Sequence, residues 1–253
     1  MKKEQTLMIV LLLALWQIGA ILVANDILIP YPMEVLKQVI QLFASHTFYV
    51  SLSRTVLRVF KGFVISMLIA LIPTLLSDYS KKFRNFFSPL QLILKTIPNI
   101  SYIILAIIWL GAEGSVSCVS FMILFPVFFN SFMNTIDLQQ QSLVDVERLY
   151  PETFFVKTKT KTIPLLRMQM LYTGKTCASL GLKVGVMAEI LGQVRCGIGR
   201  QLYLAKMNLD TTSILAWTVV IILLSICFDQ IFDYLITCRK KEENLCKSSI
   251  KNH

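Results

Sequence analysis

Apolar residues in this chain of 253 residues come in long runs, without the alternation of apolar and polar positions that marks a half-buried strand. A helix needs about 20 mostly apolar residues to cross about 30 Å of hydrocarbon. Six runs approach or reach that length, which predicts an all-α, polytopic membrane helix bundle forming a single transmembrane domain over residues 1–253. The predicted spans are about 7–24, 59–76, 89–110, 116–133, 176–192 and 213–236.

Two of these spans carry weaker hydropathy signals, because the second contains Lys61 and the fifth is short and contains Lys183. The first span follows "MKK" and could be a signal peptide, but it lacks a small-residue cleavage site and continues into "NDILIPYP", which favours a retained helix. The segment 25–61 has the pattern of an interfacial amphipathic helix, with its apolar positions at Val35, Leu36, Val39, Ile40 and Phe43.

Composition and charge agree with a membrane protein and indicate its orientation. Only 16% of the residues are charged, against about 25% in an average soluble protein. With the amino terminus inside, the predicted cytoplasmic pieces (the amino-terminal tail, 77–88, 134–175 and the carboxy-terminal tail) hold 2, 3, 6 and 5 Lys and Arg, or 16 of the 25. Both termini are therefore predicted to be cytoplasmic. The net charge of +10 is better explained by this topology and by anionic lipid than by nucleic acid.

The sequence predicts no metal, cofactor or catalytic site in this chain. Its six cysteines include no C-x-x-C pair, its two histidines are far apart, and no nucleophile stands beside a base in the spans. The tripeptide "GKT" at Gly174–Thr176 resembles the end of a nucleotide-binding loop, but Gln169 occupies the position that requires the first glycine. Lys175 is better interpreted as an anchor at the membrane surface.

The fifth span carries a stripe of small residues on one helix face, at Gly174, Ala178, Gly181, Gly185, Ala188 and Gly192. Such a stripe lets two helices approach closely in lipid. The spacing leaves open whether the stripe meets another helix of this chain, a second subunit or a solute pathway.

Ionisable residues within the spans are costly unless they are paired or hydrated. Lys183 lies at mid-span, and Asp229 of the sixth span is its expected counter-ion because the two have a similar depth. Glu189 lies near the outer end of its helix, where its side chain can reach water.

Four stretches, taken in order, resemble the permease subunits of binding-protein-dependent ABC importers, and most of all the nitrate, sulfonate, taurine and pyrimidine-precursor group. They are "LIPYPMEVLKQVIQLF", "SLSRTVLRVFKGFVIS", "IPNISYIILAIIWLGAEGS" and "AEILGQVRCGIGRQL". The resemblance runs from about residue 28 to about residue 236. It implies a type I importer fold in which this chain forms the translocation pathway, bordered by Pro98, Ser101, Lys183, Gly185, Glu189 and Gly192.

The resemblance also implies a coupling helix, docked on a separate ATPase subunit, in the cytoplasmic loop 134–175. The family pattern there is Glu-Ala-Ala, three residues, Gly, and later an apolar residue before Pro. This chain keeps the spacing but changes residues: Glu147 replaces an alanine and Pro151 the glycine, which alters the local backbone because proline cannot adopt a positive φ. The expected coupling residues are Asp145, Glu147, Pro151, Glu152, Ile163 and Pro164.

The partners implied are the ATPase, which would bind the ATP, an extracytoplasmic solute-binding protein, a second copy of the permease and membrane lipid. The solute is left open between a small anion such as a sulfonate, taurine or nitrate and a pyrimidine or thiamine precursor. The main alternative is an ion-driven secondary transporter, although the two halves of the chain show no self-similarity. A channel would predict a ring of polar residues at a constriction, and the spans contain no such run.

Overall fold

The computed structural model describes residues 3–25, 27–138 and 153–251, which form helices and connecting turns and no β-strand. A π-helical turn, Thr158–Thr162, joins the short helix Phe154–Lys157 to the long helix Ile163–Gly192. The predicted all-α bundle is confirmed. The helices are α1 Lys3–Val23, α2 Pro32–Ala44, α3 His46–Tyr79, α4 Lys81–Thr96, α5 Asn99–Asp137, α6 Phe154–Lys157, α7 Ile163–Gly192, α8 Ile198–Met207 and α9 Thr211–Lys251.

Within the described residues, four helices are long and apolar enough to cross a membrane: Thr6–Val23, His46–Tyr79, Asn99–Asp137 and Thr211–Lys241. Large apolar side chains on all four face outward, such as Leu12, Ile72, Ile108 and Ile222. Apolar helices of this length support a multi-pass membrane protein. The count of six crossings stays a prediction, because α7, which contains the fifth predicted span, is not among the four.

Helix α5 reverses direction at Gly111, whose φ of 69° and ψ of 178° lie outside the helical region. We call its two parts α5a (99–110) and α5b (112–137). Tyr102 and Ile103 pack in one cluster with Val119 and Ile123. In a straight helix Tyr102 and Val119 would lie about 25 Å apart, so α5a and α5b must fold back on each other. The reversal lies where the sequence predicts an outer loop.

The predicted span 89–110 is not one continuous helix. Helix α4 ends at Thr96, and both Ile97 (ψ 128°) and Pro98 (ψ 135°) are extended before α5a begins. Proline disfavours a helical residue before it and lacks an N–H group, which explains the break. The Tyr102 hydroxyl donates a hydrogen bond across the break to the Leu94 carbonyl at 2.9 Å.

The single amphipathic element predicted over 25–61 is also wrong, because Ser45 is extended and separates α2 from α3. Arg54 and Arg58 consequently lie in the long helix α3. Val35 and Val39 are buried in a cluster with Ala216 of α9, while Leu36, Ile40 and Phe43 stay exposed. The amphipathic pattern therefore serves in part to pack α2 inside this chain.

The centre of the bundle is formed by α3, α5b and α7, and the small-residue stripe lies where these helices meet. A Cβ atom on Gly185 would lie 2.3 Å from Cγ2 of Val59, and one on Gly181 would lie 3.1 Å from Leu124. Gly174 contacts Phe232 of α9, and Gly192 lies beside Ser115. The stripe therefore packs against other helices of the same chain.

Candidate functional site

Glu189, at the end of α7, has no exposed surface and receives three hydrogen bonds. They come from the Thr55 hydroxyl at 2.8 Å, the Arg58 guanidinium at 2.7 Å and the Gly199 N–H at 2.9 Å. The expectation that Glu189 reaches water is wrong, because the chain after α7 folds back over the carboxylate. An enclosed carboxylate needs such partners, since burying an isolated charge is very costly.

Arg58 connects the surrounding elements. Its guanidinium donates to the Cys196 carbonyl at 2.7 Å and also pairs with Glu113, the second residue after the reversal in α5. Glu113 in turn accepts a hydrogen bond from the Arg195 N–H at 2.9 Å. One arginine thus ties together α3, α5b, α7 and the turn between α7 and α8. We call Thr55, Arg58, Glu113 and Glu189 the arginine network.

Two glycines let the turn approach Glu189 closely. Gly197 has a φ of 149°, and a Cβ there would lie 2.6 Å from both carboxylate oxygens of Glu189. A Cβ on Gly199 would lie 2.3 Å from Cβ of Glu189. The Thr55 hydroxyl, which donates to Glu189, also accepts from the Ile198 N–H at 2.8 Å. Any larger side chain at these glycines would push the turn away from the network.

A second polar anchor holds the start of α7 to the other end of α3. Asp78 accepts a hydrogen bond from the Thr162 hydroxyl at 2.8 Å, and its carboxylate lies 3.4 Å from Nζ of Lys157. Lys157 also donates to the Asp78 backbone carbonyl at 3.0 Å. We call this group the Asp78 anchor.

The predicted coupling residues divide between this region and the undescribed part of the chain. Ile163 and Pro164 are exposed at the first turn of α7, directly after the Asp78 anchor. The other four, Asp145, Glu147, Pro151 and Glu152, lie outside the described residues.

A cleft of about 480 Å³ opens between α4, α5a and α5b. It lies at the end of the α5 hairpin that is far from Gly111, the side on which the sequence places the cytoplasmic loops. Pro98 and Ser101 flank two of its lining residues, and Pro98 is exposed while Ser101 is half-buried. We call it the amide cleft because three asparagines line it. Its lining residues are Leu94, Asn99, Tyr102, Ile123, Pro126, Val127, Asn130, Ser131 and Asn134.

Lys183 is exposed and lines a second cleft of about 410 Å³ between α7 and α9, together with Lys175 and Asp229. The predicted counter-ion is therefore nearby. The two charges nevertheless form no ion pair: Asp229 accepts from the Ser179 hydroxyl at 3.2 Å, and Lys175 pairs with Asp233 at 2.7 Å.

The predicted pathway residues therefore fall in three separate places. Pro98 and Ser101 lie beside the amide cleft, Lys183 lines the second cleft, and Gly185 and Gly192 pack within the bundle on α7, whose last turn contains Glu189. Sequence reasoning missed the arginine network and the asparagines of the amide cleft. Each had a signal in the sequence. For the arginine network it was opposite charges at the outer ends of three helices, and for the asparagines it was the four-residue steps from Pro126 to Asn130 to Asn134.

The chain is similar to named transport permeases over most of its length. It is 24% identical to the formylaminopyrimidine transport permease protein ThiX of Halalkalibacterium halodurans, over 75% of this chain and 72% of the relative. It is 22% identical to an aliphatic sulfonates transport permease protein, SsuC of Bacillus subtilis, over 83% and 76%. An ABC transporter permease of Brucella melitensis is also 22% identical, over 81% and 83%.

No protein-family model matches the chain. The stretches that carry the resemblance to ABC permeases nevertheless meet in space, because Arg58 of "SLSRTVLRVFKGFVIS" binds Glu189 of "AEILGQVRCGIGRQL". The helical membrane architecture and the similarity to several transport permeases together identify the chain as a permease subunit of an ABC importer.

Proposed function

We propose that this permease carries a solute across the cytoplasmic membrane with energy from a separate ATPase subunit that acts on the loop 134–175. The observation that supports this most is the way the end of that loop joins the bundle. Helix α6, the π-helical turn and α7 follow one another without a gap from Phe154 to Gly192, and the Asp78 anchor fixes this element to α3. Both termini are placed in the cytoplasm.

A helical element of this kind can transmit a push over a long distance. From residue 154 to residue 192 it extends about 57 Å at the rise of an α-helix, more than the thickness of the hydrocarbon layer. Its far end carries Glu189 in the arginine network. A displacement at the loop would therefore reach the Asp78 anchor directly and the opposite end of the bundle through α7. Such motion can switch a pathway between inward and outward access.

The proposed docking surface for an extracytoplasmic binding protein lies near residues 111–115 and 197–200, where Glu113, Gly114 and Arg195 are exposed. The contact between Glu113 and the Arg195 N–H brings these two regions together. A binding protein that docks there would touch the surface of the arginine network. We place two copies of the permease, surrounded by lipid, on two ATPase subunits.

For the solute we propose one of the classes in the names of the two relatives, an aliphatic sulfonate or a formylaminopyrimidine. Both are small organic molecules, and both clefts have volumes in the range of about 300–1,000 Å³ that is usual for small-molecule sites.

The test is co-purification from native membranes. We expect an ATPase subunit to purify with the tagged wild-type chain and to be lost from the double variant Asp145→Arg/Glu147→Arg, since both changes reverse charge in the proposed contact. Lys37→Glu is the matched control, because it reverses one exposed charge on α2 and should keep the ATPase. A chain that purifies alone and moves solute into liposomes without ATP would instead be an ion-driven secondary transporter.

A further inference from the structure

Charged and hydroxyl side chains line one outward face of α7 and α9, around the second cleft. Lys183, Thr176 and Asp233 are exposed there, and the other members of the group are half-buried. We call this surface the charged face, and its members are Lys175, Thr176, Ser179 and Lys183 of α7 and Asp229 and Asp233 of α9.

The charged face lies at the depth of the hydrocarbon layer. Lys183 is six residues before Glu189, the residue that α7 carries at its outer end, or about 9 Å along the helix. Asp229 accepts a hydrogen bond from Ser179, which is ten residues before Glu189, so it lies about 15 Å deep in a layer about 30 Å thick. Exposed charges at this depth are costly in lipid. The charged face must therefore be covered by water or by protein.

The charges of this face balance, but only half of them pair within the chain. Lys175 pairs with Asp233 at 2.7 Å. Lys183 and Asp229 line the same cleft, yet neither forms an ion pair with any described residue. A surface with equal numbers of both charges is complementary to a copy of itself, because a two-fold axis sets each residue of one copy against a residue of the other.

The positions of Lys183 and Asp229 fit a contact across such an axis. Two copies in one membrane are related by an axis along the membrane normal, which leaves the depth of every residue unchanged. Lys183 and Asp229 differ in depth by about four helical residues, or about 6 Å. The Cα–Cβ bonds of a helix tilt towards its N-terminus, and α7 and α9 are antiparallel, so the two side chains lean towards each other's depth. The long, flexible stem of a lysine can span the remaining distance.

Apolar residues extend the same surface towards the outer side. They follow Lys183 and precede Asp229 at helical steps of three or four residues, and all are exposed: Met187, Leu191, Ile222 and Ile226. The glycine stripe of α7 is already occupied by helices of the same chain, so a second copy has to use another face. Balanced charges beside an apolar area favour protein as the cover of this face.

We infer that the charged face is the contact between two copies of the permease, and that Lys183 of each copy forms an ion pair with Asp229 of the other copy. The second copy thus supplies the counter-ion that the described residues of its own chain do not give to each lysine. The contact rests on the proposed function, in which α7 crosses the membrane and two copies act together.

The experiment measures which copies associate. Two copies with different tags are expressed together in native membranes, one with Lys183→Asp and the other with Asp229→Lys, and the fraction of purified complexes that carry both tags is determined. Complexes of like copies would set Asp against Asp or Lys against Lys. Mixed complexes would restore both ion pairs with their signs reversed.

We expect two wild-type copies to mix at random, and a wild-type copy to mix at random with a control copy that carries the exposed change Lys37→Glu. With the two charge variants, mixed complexes should outnumber complexes of like copies at least about tenfold, because like charges set against each other strongly disfavour association. Random mixing of these variants would overturn the inference. It would mean that Lys183 faces water or solute, or pairs with Asp229 inside its own chain.

A second measurement covers the case in which the charge variants fail to accumulate. A copy with Lys183→Cys and a copy with Asp229→Cys each lose one charge and reverse none. A short bis-maleimide should cross-link the two together more than it cross-links either variant alone, which gives the background from the native cysteines. No excess of cross-linked product would overturn the inference. Both measurements score permease copies only, so co-purification of the ATPase can still support the proposed function when the contact fails.

Discussion

Removal of the Arg58 side chain is the most informative perturbation of this structure. In Arg58→Met, Glu189 keeps its hydrogen bonds from Thr55 and Gly199 but loses its only ion pair among the described residues. Glu189 has no exposed surface, and the Arg58 side chain is 12% exposed. Breaking a buried pair by removing one partner typically costs about 3–5 kcal/mol, because the remaining charge stays buried.

The second ion pair of Arg58 provides a matched comparison within the same network. The Glu113 side chain is 49% exposed, so water screens its interaction with Arg58. Exposed ion pairs contribute about 0–1 kcal/mol, and Glu113→Gln also keeps an acceptor for the Arg195 N–H. We therefore expect Arg58→Met to lower the free energy of unfolding at least three times as much as Glu113→Gln.

Reversible unfolding of the purified chain in mixed micelles, by titration with a denaturing detergent, measures these free energies. The double variant Arg58→Met/Glu189→Gln leaves no buried charge at position 189, while the Gln amide oxygen can still accept from Thr55 and Gly199. It should be more stable than the sum of the single effects predicts, by about 0.5–3 kcal/mol. The reasoning is refuted if Arg58→Met destabilises the chain no more than Glu113→Gln, or if the effects of the two substitutions in the double variant simply add.

Three further predictions concern backbone, packing and anchoring. Gly111→Ala should lower the free energy of unfolding by about 1–3 kcal/mol, because the φ of 69° strains any residue with a Cβ. No atom lies near the new Cβ, so backbone strain is the whole effect, and an unchanged stability would contradict the assigned reversal. Gly185→Ala should lower the free energy of unfolding by about 1–3 kcal/mol, because the new Cβ would lie 2.3 Å from Cγ2 of Val59. Gly19→Ala, which has open space around it, should leave that free energy unchanged, and equal effects of the two substitutions would contradict the stripe contact. Asp78→Ala removes the hydrogen bond from Thr162 and the ion pair with Lys157, and leaves only the hydrogen bond from Lys157 to the backbone carbonyl of residue 78, so limited trypsin digestion at the lysines there should accelerate; an unchanged rate would argue against the anchor.

The lengths of the apolar runs predicted much of the fold. The cores of α1, α3 and α9 follow directly from uninterrupted apolar sequence, and the reversal at Gly111 lies between two predicted spans. These features depend on local composition and on the thickness of a bilayer, both of which can be judged from a single sequence. The stripe of small residues likewise predicted a closely packed helix, although its spacing did not identify the partner.

The candidate site was less predictable because it depends on contacts between distant parts of the chain. Arg58 and Glu189 are separated by 131 positions, and nothing near either residue indicates that the turn after α7 closes over the carboxylate. The break at Pro98 was not predicted, because the apolar run over 89–110 continues across it. Only the extended backbone of the preceding residue, Ile97, shows that α4 ends there.

Two polar anchors hold α7 to α3, one near each end of α7. Arg58 and Asp78 are about 20 residues apart on α3, or about 30 Å along a helix, which matches the thickness of the hydrocarbon layer. α7 meets Asp78 at its start, through Thr162, and Arg58 at its end, through Glu189. Between these points the contact is apolar: Val59 of α3 packs against Gly181 and Gly185 of α7, and Phe63 lies near Gly174. The directional polar contacts between α3 and α7 thus lie at opposite ends of the membrane layer. Under the proposed mechanism, a shift of α7 as a unit would therefore change few directional contacts with α3.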